Sequence, residues 1–132
     1  MNLNGERHPV HSALIVDDNW FNRDICRIAL SSVGYQLTEA DNGAAALNLL
    51  AERTFDLMVL DLDMPVVGGL TVLNRVRSEA RHDKMRVIVL TAHSHMATGD
   101  VDTEADFVMH KPINIVEFAA FADRLKDSSV PT

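Results

Sequence analysis

Short runs rich in Val, Leu and Ile recur along this chain, and longer segments with helical spacing separate them. That alternation limits the fold more than any other feature. Two parallel strands need a crossover of a dozen or more residues between them, usually a helix, so strands and helices taking turns imply an α/β domain with a parallel sheet. The strand candidates are residues 12–16 (SALIV), 36–40 (QLTEA), 56–60 (DLMVL), 86–90 (RVIVL) and 107–110 (FVMH). The second has the composition of a half-exposed strand and the other four that of buried strands.

Between them, residues 20–33 set Phe21, Ile25, Ile28 and Ala29 on one helical face, and Gly34 is placed to end that helix. Residues 42–53 carry Ala46, Leu49 and Leu50, with Asp41 or Asn42 as N-cap. Residues 69–80 repeat the pattern with Leu70, Leu73 and Val76. The last helix, 113–126, is expected to bury Ile115, Phe118, Ala119, Ala122 and Leu125. One connection is weaker: between Thr91 and Phe107 only Ala97, Val101 and Ala105 fall at helical spacing, with Gly99 and several Thr and Asp among them. A short or irregular fourth helix is expected there.

The 132 residues suffice for one core, with residues 1–11 as an N-terminal arm, 12–126 as the domain and 127–132 as a polar tail. A net charge of -7 argues against a nucleic-acid or anionic-membrane surface, either of which needs clustered Lys and Arg. Proteins or a cation are the expected partners. Cys26 is the only cysteine, so no internal disulfide forms, and it reads as a small apolar residue packed in a helix. The first residues lack the apolar core of a signal peptide and no run is long enough to span a bilayer, which makes a cytoplasmic location the expectation.

In an open parallel sheet, ligands bind beyond the carboxyl ends of the strands. The first strand candidate ends in Asp17 and Asp18, the third in Asp61 followed by Asp63, the fourth in Thr91 and the fifth in Lys111 before Pro112. Any one of these acids alone would read as a turn or cap residue; their coincidence at four strand ends points to a site. Crowded carboxylates repel, so at neutral pH they take up protons or hold a hard cation, and a site that leaves room for waters and a phosphate suits Mg2+. A carboxylate is also a nucleophile towards phosphorus, and Lys111 would neutralise charge on the transferred group. Aspartyl phosphorylation is the chemistry these residues favour. Asp63 has a second reading, as a cap of the following helix.

The motifs LIVDDNWFNR, VLDLDMPVVGG, VLTA and KPI, in this order, resemble the response-regulator receiver domain of two-component and phosphorelay signalling, from Ser12 to about Lys126. The resemblance implies a flavodoxin-like, doubly wound five-stranded parallel sheet of order 2-1-3-4-5, an order the general rule for such folds already illustrates with a receiver protein. It implies that Asp61 is the phosphoacceptor, and that Asp17 and Asp18 hold Mg2+ with Asp61 and the main-chain carbonyl of Asp63. Thr91 would hydrogen-bond a phosphoryl oxygen, Lys111 would pair with the phosphate, and the Lys111–Pro112 bond would be cis. The implied donor is a sensor histidine kinase or histidine phosphotransferase. With no DNA-binding or catalytic segment after Lys126, output is expected through a downstream target protein, with the chain acting as a stand-alone signalling protein rather than an enzyme.

The chain also departs from that family. Val108 stands where receivers carry an aromatic switch residue, and strand alternation would send its neighbour Phe107 to the other face. Residues 91–111 run about two residues shorter than is common, Glu104 replaces a usual glycine, and Gly68 stands where Asp or Asn is frequent, which should alter a turn only. His93 and His95 could ligate zinc or copper, but without a cysteine or third ligand nearby they read as loop residues. His93 and the Asp63 side chain are expected to flank the path of water to the phosphoryl group and so tune its lifetime. Two other functions compete. LDLD resembles the DxD motif of haloacid-dehalogenase-like phosphatases, although there the additional acids follow the motif whereas Asp17 and Asp18 precede it. A receiver that docks partners without phosphorylation is the other.

Overall fold

The computed structural model describes residues 10–92 and 104–127. In chain order it contains β1 (Ser12–Val16), α1 (Trp20–Ser32), β2 (Gln36–Ala40), α2 (Gly43–Glu52), β3 (Leu57–Asp61), α3 (Gly69–Arg77), a 3-10 turn (Ala80–His82), β4 (Arg86–Thr91), β5 (Phe107–His110) and α4 (Ile115–Asp127). The strands form one parallel sheet of order β2-β1-β3-β4-β5. This is the doubly wound, flavodoxin-like arrangement. Residues 93–103 of the connection in which a short or irregular helix was expected lie outside the described residues, and α4 denotes the C-terminal helix.

Alternation along the strands builds two cores. Leu14, Val16, Met58, Leu60, Val87 and Val89 face α2 and α3, where they meet Ala46, Leu50, Val72, Leu73 and Val76. Ala13, Ile15, Leu57, Val59, Ile88 and Leu90 face α1 and α4, where they meet Cys26, Ala29, Leu30, Phe118, Ala122 and Leu125. Strands covered on both faces need apolar residues at every position, which is why β1 and β3 read as unbroken apolar runs. Burial raises the Cys26 thiol to about 12, with the Asp17 charge adding to the shift, so this cysteine is an inert packing residue.

Helix ends follow local chemistry. Asn19 caps α1 by accepting the Asn22 N–H at 2.9 Å, and Asn42 caps α2 by accepting from Ala45 at 2.7 Å. Gly34 takes φ +91° just beyond α1, a conformation that costs other residues energy. Asn114 accepts the Glu117 N–H at the start of α4.

Several expectations require correction. On α1, Phe21 is 62% exposed and Ile28 is also exposed; the buried stripe is Cys26, Ala29 and Leu30. The helix has apolar residues on more than one face, and the small Cys26 and Ala29 give the closer approach to the sheet. Leu70 and Ile115 are exposed because both lie in the first turn of a helix, beyond the carboxyl edge of the sheet. The third helix stops at Arg77, where Ser78 turns its hydroxyl back onto the Arg75 carbonyl at 2.7 Å and the chain continues into the 3-10 turn. β5 is half-buried rather than buried, with His110 exposed, because among the described residues it is an edge strand paired with β4 alone.

Polar anchors tie the loops at the amino ends of β4 and β5. Arg77 donates from Nε to the Glu104 carbonyl (2.7 Å), from NH1 to the Met85 carbonyl (3.1 Å) and from NH2 to Asp106 Oδ2 (2.9 Å). The same Asp106 oxygen accepts the Val87 N–H at 2.7 Å. His82 is buried, with Nε2 3.1 Å from the Leu50 carbonyl, so it joins the 3-10 turn to α2.

Candidate functional site

The site collects at the carboxyl edge of β1, β3, β4 and β5. Asp17 follows β1 and is 1% exposed; its Oδ1 accepts the Asn19 N–H at 2.9 Å, while Oδ2 is buried without a hydrogen-bond partner. Arg23 steadies this corner, donating to the Asp17 carbonyl at 2.9 Å and to Glu39 on β2 at 3.1 Å. Asp18, next along, is exposed. Asp61 ends β3, also 1% exposed, opposite Leu90 of β4. Its Oδ1 accepts the Asp63 N–H and the Lys111 ammonium, each at 3.0 Å.

Lys111 is delivered by β5 and by the hydrogen bond of its N–H to the Thr91 carbonyl at 3.0 Å, just before a cis bond to Pro112. Its ammonium also lies 3.8 Å from Asp17 Oδ2. Burial works to lower the Lys111 pKa, but the Asp61 hydrogen bond and the charges of Asp17, Asp61 and Asp63 outweigh it and hold the group above its ordinary value. Asp17 is pushed up to about 6, chiefly by burial, with the Asp61 charge adding and the Asn19 hydrogen bond opposing.

One carboxylate oxygen from each of Asp17, Asp18 and Asp61 lies within 4.8 Å of the others. Three acids at that separation, with the buried Asp17 Oδ2 lacking a hydrogen bond, fit a hard divalent cation better than they fit one another. The donor set is all oxygen, and two of the acids sit on rigid strand ends, as Mg2+ prefers few carboxylates and retained water.

The start of α3 depends on Gly69. A Cβ there would stand 2.4 Å from the Asp61 carbonyl oxygen and 2.7 Å from the Leu62 Cα, so only glycine lets the helix begin this close to the acid. Gly68 is the N-cap and provides no side-chain bond. Asp63 does not cap this helix either. Its carboxylate crosses to β4, where Oδ1 accepts the Thr91 hydroxyl at 3.2 Å and Oδ2 the Ala92 N–H at 3.0 Å.

Asp17, Asp18, Asp61, Thr91, Lys111 and Asp63 are therefore brought to one edge. His93, with its neighbour His95, lies outside the described residues. Val108 is half-buried on the α2–α3 side, while Phe107 packs on the opposite side, edge to face on Phe121 at 4.7 Å between ring centres. The part played by Ala92 was not legible in the sequence, because a backbone N–H has no side-chain signature. Arg23 was equally hidden, since its partners lie just beyond β1 and on β2. Beside the acids, Trp20 opens α1 and is 67% exposed.

The response regulator receiver domain family matches residues 13–123, and the chain belongs to that family, the receivers of two-component signalling. The DNA-binding transcriptional regulator NtrC of Escherichia coli K12 is 34% identical over 112 residues, covering 83% of this chain and 24% of that protein. The response regulator MprA of Mycobacterium sp. strain KMS is 36% identical over 109 residues, covering 81% and 46%. The chain thus spans less than half the length of these relatives. Among solved structures, the Thermotoga maritima response regulator TrrA, in complex with Mg2+ and BeF, aligns with a TM-score of 0.78 at 30% identity, covering 88% of this chain and 99% of that one. A CheY-like receiver from Methylobacillus flagellatus aligns with a TM-score of 0.80 at 21% identity, covering 89% and 99%, which supports the shared fold. No helix among the described residues is long and apolar enough to cross a membrane.

Proposed function

We propose that this protein takes a phosphoryl group from a phosphohistidine donor onto Asp61, with Mg2+ bound by Asp17, Asp18, Asp61 and the Asp63 main-chain carbonyl, and that the modification changes the surface it offers to a downstream protein. The observation that carries the reading is the single edge at which Asp61, the other two acids and Lys111 meet. TrrA, crystallised with Mg2+ and BeF, lends support as a relative of similar fold.

An Asp61 carboxylate oxygen forms the new P–O bond as the P–N bond of the donor breaks, and the imidazole leaves with the electron pair. Bound Mg2+ would supply positive charge against the oxygens of the transferring group. Lys111, already 3.0 Å from Asp61 Oδ1, remains to pair with the phosphoryl group once it is attached, and the Thr91 hydroxyl, at the end of β4 and 3.2 Å from Asp63 Oδ1, is a further donor at this edge. The chain acts as substrate and switch rather than as an enzyme with turnover. Val108, in place of an aromatic residue, leaves the conformational answer to the β4–β5 edge as a whole.

Incubation with Mg2+ and a small phosphodonor such as acetyl phosphate, followed by intact mass, is expected to show one labile phosphoryl group. Asp61→Asn should abolish it. An unmodified mass in the wild type, or modification that survives Asp61→Asn, overturns the assignment.

A further inference from the structure

The Asp63 carboxylate is the anion that already sits where β4 presents its donors. Thr91 Oγ1 donates to one of its oxygens at 3.2 Å and the Ala92 N–H to the other at 3.0 Å, so a single carboxylate bridges two successive donors. Its backbone leaves little slack. The Asp63 N–H is held by Asp61 Oδ1 at 3.0 Å, and the Leu62 N–H by the Leu90 carbonyl at 2.9 Å. The side chain therefore reaches across the gap between β3 and β4 from a fixed base, one residue beyond that crosslink.

A carboxylate and a phosphoryl oxygen make the same demand, since each is an anionic acceptor with no proton of its own. The Thr91 hydroxyl has one proton to donate, and so has the Ala92 amide. Neither serves Asp63 and a second anion at full strength.

Resting on the assignment of Asp61 as phosphoacceptor, we propose that the Asp63 carboxylate is an internal stand-in for the phosphoryl group, holding the Thr91 hydroxyl and the Ala92 N–H until an anion on Asp61 displaces it. The switch is then an exchange of one acidic acceptor for another, and not the first capture of an idle hydroxyl. Asp63 is only half-buried, so once displaced it can turn its charge to water without the cost of a buried unpaired carboxylate. The threshold for switching is set by how strongly Asp63 competes. Its like charge beside Asp61 adds to that threshold, and the test separates the two contributions.

Beryllofluoride with saturating Mg2+ is the probe, titrated into the full chain and followed by the Ala92 amide resonance. Asp63→Ala is expected to lower the half-saturating concentration about tenfold, the scale of one charge-assisted hydrogen bond no longer lost in exchange. Asp63→Asn should give a smaller gain, because its amide oxygen can still accept one of the two bonds; it also serves if the alanine variant folds poorly. In a Thr91→Val background the gain from Asp63→Ala should shrink to about threefold or less, as expected when two residues act on one another. Unchanged or weaker binding by both Asp63 variants overturns the proposal. So does a full gain that persists without the Thr91 hydroxyl, which would mark a simple charge effect. Beryllofluoride binding by Asp61→Asn would instead overturn the phosphoacceptor assignment, so the two failures are distinguishable.

Discussion

β3 and β5 supply the two halves of one ion pair, Asp61 and Lys111, from very different surroundings. β3 lies in the middle of the sheet between β1 and β4, and all five of its residues are buried. β5 has one neighbour, three half-buried residues and an exposed end. The acid is held by the core itself. Lys111 is held by its own contacts, its backbone N–H on the Thr91 carbonyl and its ammonium on the acids it meets. A phosphoacceptor needs a fixed nucleophile, whereas a signalling surface needs an element whose position a new charge can alter. On the function proposed above, these two needs fall to separate strands.

The largest effect is expected where β3 meets α3. Gly69→Ala places a methyl group against the Asp61 carbonyl and Leu62, and should cost about 3 kcal/mol despite alanine's better helix propensity. Urea denaturation measures this; a neutral result would mean that the centre is as adjustable as the edge.

The next test makes the same change on both strands. Val59→Ala empties a fully buried position on β3 and should cost about 2.5 kcal/mol, while Val108→Ala on β5 should cost about 1 kcal/mol. Equal losses would break the comparison.

The smallest expected effect is a pH dependence. Burial lifts Asp17 to about 6 in the folded protein from an ordinary value of 3.8, so between those values the folded state holds a proton that the unfolded state has released. Stability of the metal-free protein contributed by this group therefore rises as pH falls. Between pH 7.5 and 5 the gain should be on the order of 1 kcal/mol. Thermal unfolding in chelator should reveal it, and Mg2+ should remove it by favouring the ionised acid. A gain that Mg2+ leaves intact would place its origin outside the central acids.

The sheet and its carboxyl-edge site were legible because both depend on local pattern. Apolar runs mark strands buried on two faces, and Asp17, Asp61, Thr91 and Lys111 follow those runs directly. What escaped depends on distances between elements. Phe21 and Ile28 satisfy helical spacing as well as Cys26 and Leu30 do, and only the packing of α1 on the sheet selects between them. The burial of β5 depended on strand order, which makes it an edge. The Asp63 side chain could have capped α3 or crossed to β4, and the second outcome rests on the position of Ala92, twenty-nine residues away. Arg77 was unreadable for the same reason, since most of its acceptors are backbone carbonyls of other segments.

Trp20, on the open first turn of α1 two residues beyond Asp18, is the chain's only tryptophan. Its indole emission therefore comes from one address, free of overlapping contributions from elsewhere in the chain. Because the ring faces solvent, added quenchers reach it, and a cation or anion arriving at the neighbouring acids acts within its optical surroundings. The protein thus carries its own unlabelled dye at the rim of the site, and occupancy can be followed by light in the native chain.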